Sequence, residues 1–140
     1  MIFQLDYATV ITFVLISFLG ISLILFIAGT YIMQMYAKAK KWDDSFKIPL
    51  KINIIWSVIS LAIGIPISFM YGDQVFIDYI RFGVNMIVGV IFAIRYYKKD
   101  RVESIQFILI IQFLLFIIAV VFGYIFSMLS LYVLSYLSPL

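Results

Sequence analysis

VFIDYIRFGVNMIVGVIFAIRYY, residues 75–97, is the stretch whose reading decides the fold. It is long enough to cross a lipid bilayer, which takes about 20 residues of helix. Yet it carries Asp78, Arg81 and Asn85 inside that length. Lipid solvates apolar side chains but not backbone amides, so a spanning segment must be a helix or part of a closed barrel. A long unbroken apolar run, rather than alternating ten-residue segments, selects the helix. On a helix Asp78 and Arg81 share one face, Asn85 continues it one turn deeper, and Gly89 lies close beyond.

That polar stripe has two readings. An ionisable residue within a span points first to a polar vestibule or transport path. The plainer reading pairs Asp78 with Arg81 and lets the arginine reach outward to headgroups along its aliphatic stem. Counting about 20 residues back from Ile94 places Asp78 about one turn and Arg81 about two turns inside the outer boundary. So shallow a pair favours the plainer reading. Asn85 sits deeper and is expected to bond across helices, to the Ser57–Ser60 face, for about 1 kcal/mol.

On either side of this helix the chain repeats the same kind of material. Three more apolar runs are expected as helices, over about residues 8–36, 52–70 and 104–136, with this one over 75–97. The first lacks a positive leader and exceeds the roughly 7–15 apolar residues of a signal-peptide core, so it reads as a retained span with Asp6 as its N-cap. Pro49 is expected to break any continuing helix and permit a fresh start at Leu50 or Lys51. In the second run Asn53, Ser57, Ser60, Gly64 and Ser68 fall on one face, and Pro66 kinks its last turns. Tyr71-Gly72-Asp73-Gln74 is a tight connection in which Asp73 can cap the third helix. The fourth run carries its own seam, Gln112, Ala119, Gly123, Ser127 and Ser130. Small residues at such spacing let helix backbones approach closely in lipid. Both seams are therefore expected as packing or partner-docking faces.

The basic residues set the orientation. The loops at 37–51 and 98–103 hold nine of the ten Lys and Arg residues when Arg95 is counted with its loop; Arg81 is the exception. Cytoplasmic boundaries are enriched in Lys and Arg, which places both loops inside the cell and both termini outside. Lys38, Lys40, Lys41, Trp42, Lys98, Lys99 and Arg101 are expected as headgroup anchors, because cations beside aromatic rings suit that level of the bilayer. The two halves share a plan of long helix, basic aromatic loop and helix with a Gly-xxx-Ser step. Shared topology alone would produce much of that likeness.

Composition agrees. The 140 residues are 66% hydrophobic and 12% charged, with mean hydropathy +1.18. A soluble domain is about 45–50% apolar and about 25% charged. The chain has no Cys and no His. That removes thiol chemistry, disulfides, zinc sites built on those residues, haem or iron–sulfur ligation by them, and His-based catalysis. No HExxH motif and no paired aspartates within the apolar runs stand in for them, and no basic soluble domain suggests nucleic acid.

The expected architecture is all-α: a polytopic membrane protein forming one antiparallel four-helix transmembrane domain in the cell membrane. No catalytic, cofactor-binding or metal site is expected. The leading functional expectation is a small non-catalytic subunit or assembly factor of a larger membrane complex. Its partners would be the lipid bilayer and other integral membrane subunits or copies of itself. The alternatives are a small oligomeric transporter or channel using Asp78, Arg81 and Asn85, and a lipid-interacting protein using the basic loops.

Overall fold

A computed structural model describes residues 7–71 and 74–137 of the chain, and the expected caps Asp6 and Asp73 lie outside them. The described residues form four helices: α1 Tyr7–Ala39, α2 Lys47–Tyr71, α3 Gln74–Tyr97 and α4 Arg101–Leu137. α4 has 37 residues, so it is about 55 Å long at 1.5 Å per residue. Three helical stretches, Ile11–Ala39, Tyr79–Tyr97 and Arg101–Val133, are long and apolar enough to cross a membrane. α2 does not reach that standard over its described residues. Its first turns hold Lys47 and Lys51, and Asn53, Ser57 and Ser60 follow.

α2 begins earlier than the proline suggested. Helix starts at Lys47 and runs through Pro49. The first-turn amides of a helix have no intrahelical acceptor, so a missing N–H costs nothing there and the fixed φ of proline suits the turn.

The turns beside the basic residues are closed by backbone geometry. α1 ends in a Schellman arrangement, with Trp42 N–H donating to Ala37 C=O at 2.8 Å and Lys41 N–H to Lys38 C=O at 3.1 Å. The residue that must turn left-handed is Lys41, with φ of 56°, and Lys98 takes the same conformation after α3 with φ of 54°. Glycine is the usual occupant of that position. A lysine there costs about 1–2 kcal/mol, so both turns are held by what surrounds them. Asp43 Oδ1 accepts the Ser45 amide at 2.9 Å. Asp100 Oδ1 accepts the Glu103 amide at 2.8 Å, which caps α4.

α1 packs on α2 and α4, and α3 packs on α2 and α4, while the diagonal pairs make no close backbone approach among the described residues. Side chains join each neighbouring pair. Asn53 meets Thr30, Ser60 meets Asn85, Tyr36 meets Phe107 and Tyr97 meets Phe107. The two basic turns lie side by side, since Trp42 touches Tyr97 and Lys99 stands over the Trp42 ring.

Among the described residues, the buried core lies at that basic end. Its buried members are Met33, Ala37, Trp42, Ile52, Trp56, Ala93, Tyr97, Phe107, Ile108 and Ile111. Four rings close it. Tyr36, Trp42, Tyr97 and Phe107 stand with centroids 5.1–5.6 Å apart in the pairs that touch. Away from this end α1 and α4 are largely bare, from Leu15 to Ile27 on one and from Phe113 to Tyr132 on the other.

The buried positions repeat. Pro49, Ile52, Asn53 and Trp56 are the buried residues near the start of α2, and Ser104, Phe107, Ile108 and Ile111 recur in α4 at the same spacing. Gly29, Met33 and Ala37 of α1 recur likewise as Gly89, Ala93 and Tyr97 of α3. Each hairpin thus buries equivalent positions, and the second reaches them through the shorter connection. This register differs from the Gly64/Gly123 correspondence suggested by the Gly-xxx-Ser steps.

Candidate functional site

The polar residues of the middle helices meet just beyond the core. Asn85 of α3 faces Ser60 of α2. The serine hydroxyl and the Asn85 carbonyl oxygen are 3.2 Å apart, and the Asn85 amide nitrogen lies 3.1 Å from the same hydroxyl. Trp56 donates its indole N–H to the Asn85 backbone carbonyl at 2.8 Å. Arg81, one turn away, directs Nε toward the Ser60 carbonyl at 3.4 Å. Such pairing matters because a polar group buried without a partner costs about 1–3 kcal/mol.

The indole of Trp56 fits only because Gly89 has no side chain. A Cβ at Gly89 would stand 2.5 Å from Trp56 Cζ2 and 3.1 Å from Ile108 Cδ1. On the other side of α2, Asn53 is buried and donates Nδ2 to the Phe26 carbonyl and to Thr30 Oγ1, the latter at 2.9 Å. Thr30 also donates to the Phe26 carbonyl at 2.9 Å. Gly29 makes room for this contact, since its Cβ would lie 3.1 Å from Asn53 Nδ2.

These groups line a cavity. One lobe, of about 420 Å³, is bounded by Ile21, Leu25 and Phe26 of α1 and by Ser57, Ser60, Arg81 and Asn85. A second, of about 240 Å³, lies among Arg81, Phe82, Asn85, Gln112, Phe116 and Ala119. Trp56, Arg81, Asn85 and Leu115 border both. Polar and apolar side chains mix in its lining: α1 adds Ser22 beside Ile21, Leu25 and Phe26, and α2 adds Leu61 beside its serines. The four-ring cluster closes the basic end beneath it.

Of the residues singled out from the sequence, the structure brings together Asn53, Ser57, Ser60, Arg81, Asn85, Gln112 and Ala119 around this cavity. The surroundings of Asp78, Gly64 and Ser68 lie outside the described residues. On α4 the seam opens outward: nothing approaches within 4 Å of a Cβ built at Gly123, and Ser127 is exposed. Ser130 turns its hydroxyl back to its own helix, donating to Phe126 C=O at 2.7 Å.

The expected anchor residues differ in exposure. Lys38, Lys40, Lys41, Lys98 and Arg101 are exposed, but Trp42 is only 9% exposed. The Schellman turn folds its ring inward onto Tyr97 and Phe107, where an interfacial anchor would point outward. Lys99 lies over its face, 5.4 Å from the ring centroid, and Lys51 lies 5.6 Å from that of Tyr96. Trp56, Gly29 and Thr30 were not singled out from the sequence. A signal existed for the last: Asn53 needs acceptors, and Thr30 is the hydroxyl of α1 at matching depth. Comparison with protein-family models, curated proteins and solved structures gives no match, so the site is read from its own geometry.

Proposed function

We propose that this chain is a small non-catalytic integral membrane subunit, or assembly factor, of a larger membrane complex. It would sit in the cell membrane as an antiparallel four-helix bundle, with the basic turns cytoplasmic and both termini outside. One observation carries the reading. Gly29 and Gly89 are glycines at tight helix contacts, whereas at Gly123, at the centre of the Ala119–Ser127 ladder on α4, an added Cβ would meet nothing within 4 Å among the described residues. A lipid-facing surface gains nothing from small residues, but a docked helix does, because close backbone approach replaces the absent hydrophobic drive. The ladder also continues outward from the wall of the smaller lobe, where Ala119 stands.

The test is native mass spectrometry after gentle extraction from the source membrane. The chain is expected to arrive with stoichiometric foreign subunits. Gly123→Leu should strip those subunits while leaving thermal stability unchanged, because the added side chain enters open space. Arrival alone, with Gly123→Leu indistinguishable from wild type, would overturn the reading. It would turn attention to a second reading that the polar cavity favours, a small oligomeric transporter. In that case Asn85→Leu should abolish flux in reconstituted vesicles.

A further inference from the structure

The repeat described above relates α2 to α4 and α3 to α1, so the outer groove between α2 and α3 has a counterpart between α4 and α1. The exposed positions correspond as the buried ones do. Ile54 and Val58 of α2 match Leu109 and Phe113 of α4, and Ile87 and Ile91 of α3 match Ile27 and Tyr31 of α1. The charges do not correspond. Lys47 and Lys51 of α2 and Arg95 of α3 have Val102, Gln106 and Met35 as counterparts, and all six are exposed. The second groove does carry one matching cation, since Lys40 lies 6.0 Å from the Tyr36 ring as Lys51 lies 5.6 Å from that of Tyr96. It also carries a carboxylate, Glu103, where α2 has Ile48. Orientation in a membrane asks for cations at the cytoplasmic boundary. It does not ask for them on one of two equivalent grooves.

We propose that the groove between α2 and α3 at the basic end binds one anionic phospholipid, its phosphate between Lys51 and Arg95. Tyr96 joins the two cations, because it receives Lys51 from α2 and follows Arg95 in α3. A ring face holds an ammonium without using its N–H donors, so these stay available to a phosphate. The planar guanidinium adds paired donors. Neither Lys51 nor Arg95 makes an ion pair among the described residues, and Asp43 and Asp100 are turned to backbone amides instead. Toward the middle of the helices the groove is apolar. Ile55 and Ala62 follow Lys51 on one stripe of α2, and Phe92 and Val88 precede Arg95 on one stripe of α3. Phe92 stacks on Tyr96, which ties that stripe to the cations. All four side chains keep exposed surface, which suits an acyl chain running inward from the phosphate. The proposal goes beyond the subunit reading, which concerns the outward stretch of α4, and either can fail alone.

The chain has no cysteine, so a single one at Ala62, or at its α4 counterpart Ile117, takes a fluorescent bimane in the full-length protein. Each labelled protein is reconstituted in phosphatidylcholine vesicles holding a rising fraction of phosphatidylglycerol brominated in mid-chain. A parallel series uses phosphatidylcholine brominated at the same place. At Ala62 the phosphatidylglycerol is expected to reach half-maximal quenching at a fraction about 25-fold lower, about fivefold for each of two cations. At Ile117 the two lipids should quench alike. Lys51→Gln and Arg95→Gln, with unchanged thermal stability, should each weaken the preference at Ala62 by about fivefold. Lys38→Gln combined with Lys40→Gln removes the same charge beside the end of α1 and should leave that preference as it was. The proposal fails if both lipids quench Ala62 alike. It also fails if the changes at Lys38 and Lys40 reduce the preference as much as those at Lys51 and Arg95, which would show a diffuse field. Weak quenching of Ala62 by both lipids would place a protein in the groove and overturn the proposal equally.

Discussion

Gly89→Leu is expected to disable the fold, with a loss of about 3 kcal/mol or more of stability in detergent. The reason is local and geometric. Even the first added carbon would stand 2.5 Å from Trp56 Cζ2, a separation that side chains do not tolerate. The indole cannot step aside freely, because its N–H is bound to the Asn85 carbonyl and its ring is buried. Ile108 bars the third direction at 3.1 Å. Gly89→Ala should be milder, with a net loss of about 1 kcal/mol, because the gain of about 1 kcal/mol in helix propensity opposes the clash. The decisive measurement is a double-mutant cycle with Trp56→Leu, read by thermal unfolding. If the clash is with Trp56, Gly89→Ala should become neutral or stabilising in the Trp56→Leu background, a coupling of about 1–3 kcal/mol. Additive losses would show that Gly89 matters for some other reason.

Phe107→Ala should cost about 3 kcal/mol, the low end for a fully buried phenylalanine. Phe107 has no exposed surface and touches Tyr36, Trp42 and Tyr97. Each such ring pair contributes about 0.5–1.5 kcal/mol beyond its area. Transfer from lipid to protein interior adds little, because both are apolar, so the loss comes mainly from the packing left unfilled. Phe113 supplies the control on the same helix, since it is 64% exposed. Phe113→Ala should move stability by no more than about 0.5 kcal/mol. Equal losses from the two substitutions, measured side by side in the same detergent, would mean that the four rings do not hold the basic end together.

The contrast between Phe107 and Phe113 shows what could be read without coordinates. Both lie in one unbroken apolar run, and nothing in that run marks one as core and the other as surface. In water the period of polar residues separates the two. In lipid an outward phenylalanine is as well solvated as an inward one, so the period disappears. Only where polar residues interrupt the apolar background does a face become visible. That is why the Asn53–Ser57–Ser60 stripe and the Asn85 position were legible, and why Asn85 could be directed to the Ser57–Ser60 face on chemistry alone.

By itself, then, the sequence determined the helical material, the position of its connections and the gathering of positive charge in two of them. It did so because lipid forbids unpaired backbone amides and because long apolar runs and charged breaks are properties of composition. The tertiary structure decided which small residues are contacts. Gly89 and Gly29 are packed against side chains of other helices, while Gly123 is open, although all three are glycines within helical segments of similar composition. It also decided the fate of Trp42, because a left-handed residue at Lys41 turns the ring into the core instead of toward headgroups. Whether a glycine is filled or a ring turns inward depends on what arrives from the neighbouring helix. That arrival is fixed by the register between hairpins, which no local pattern in either strand of sequence records.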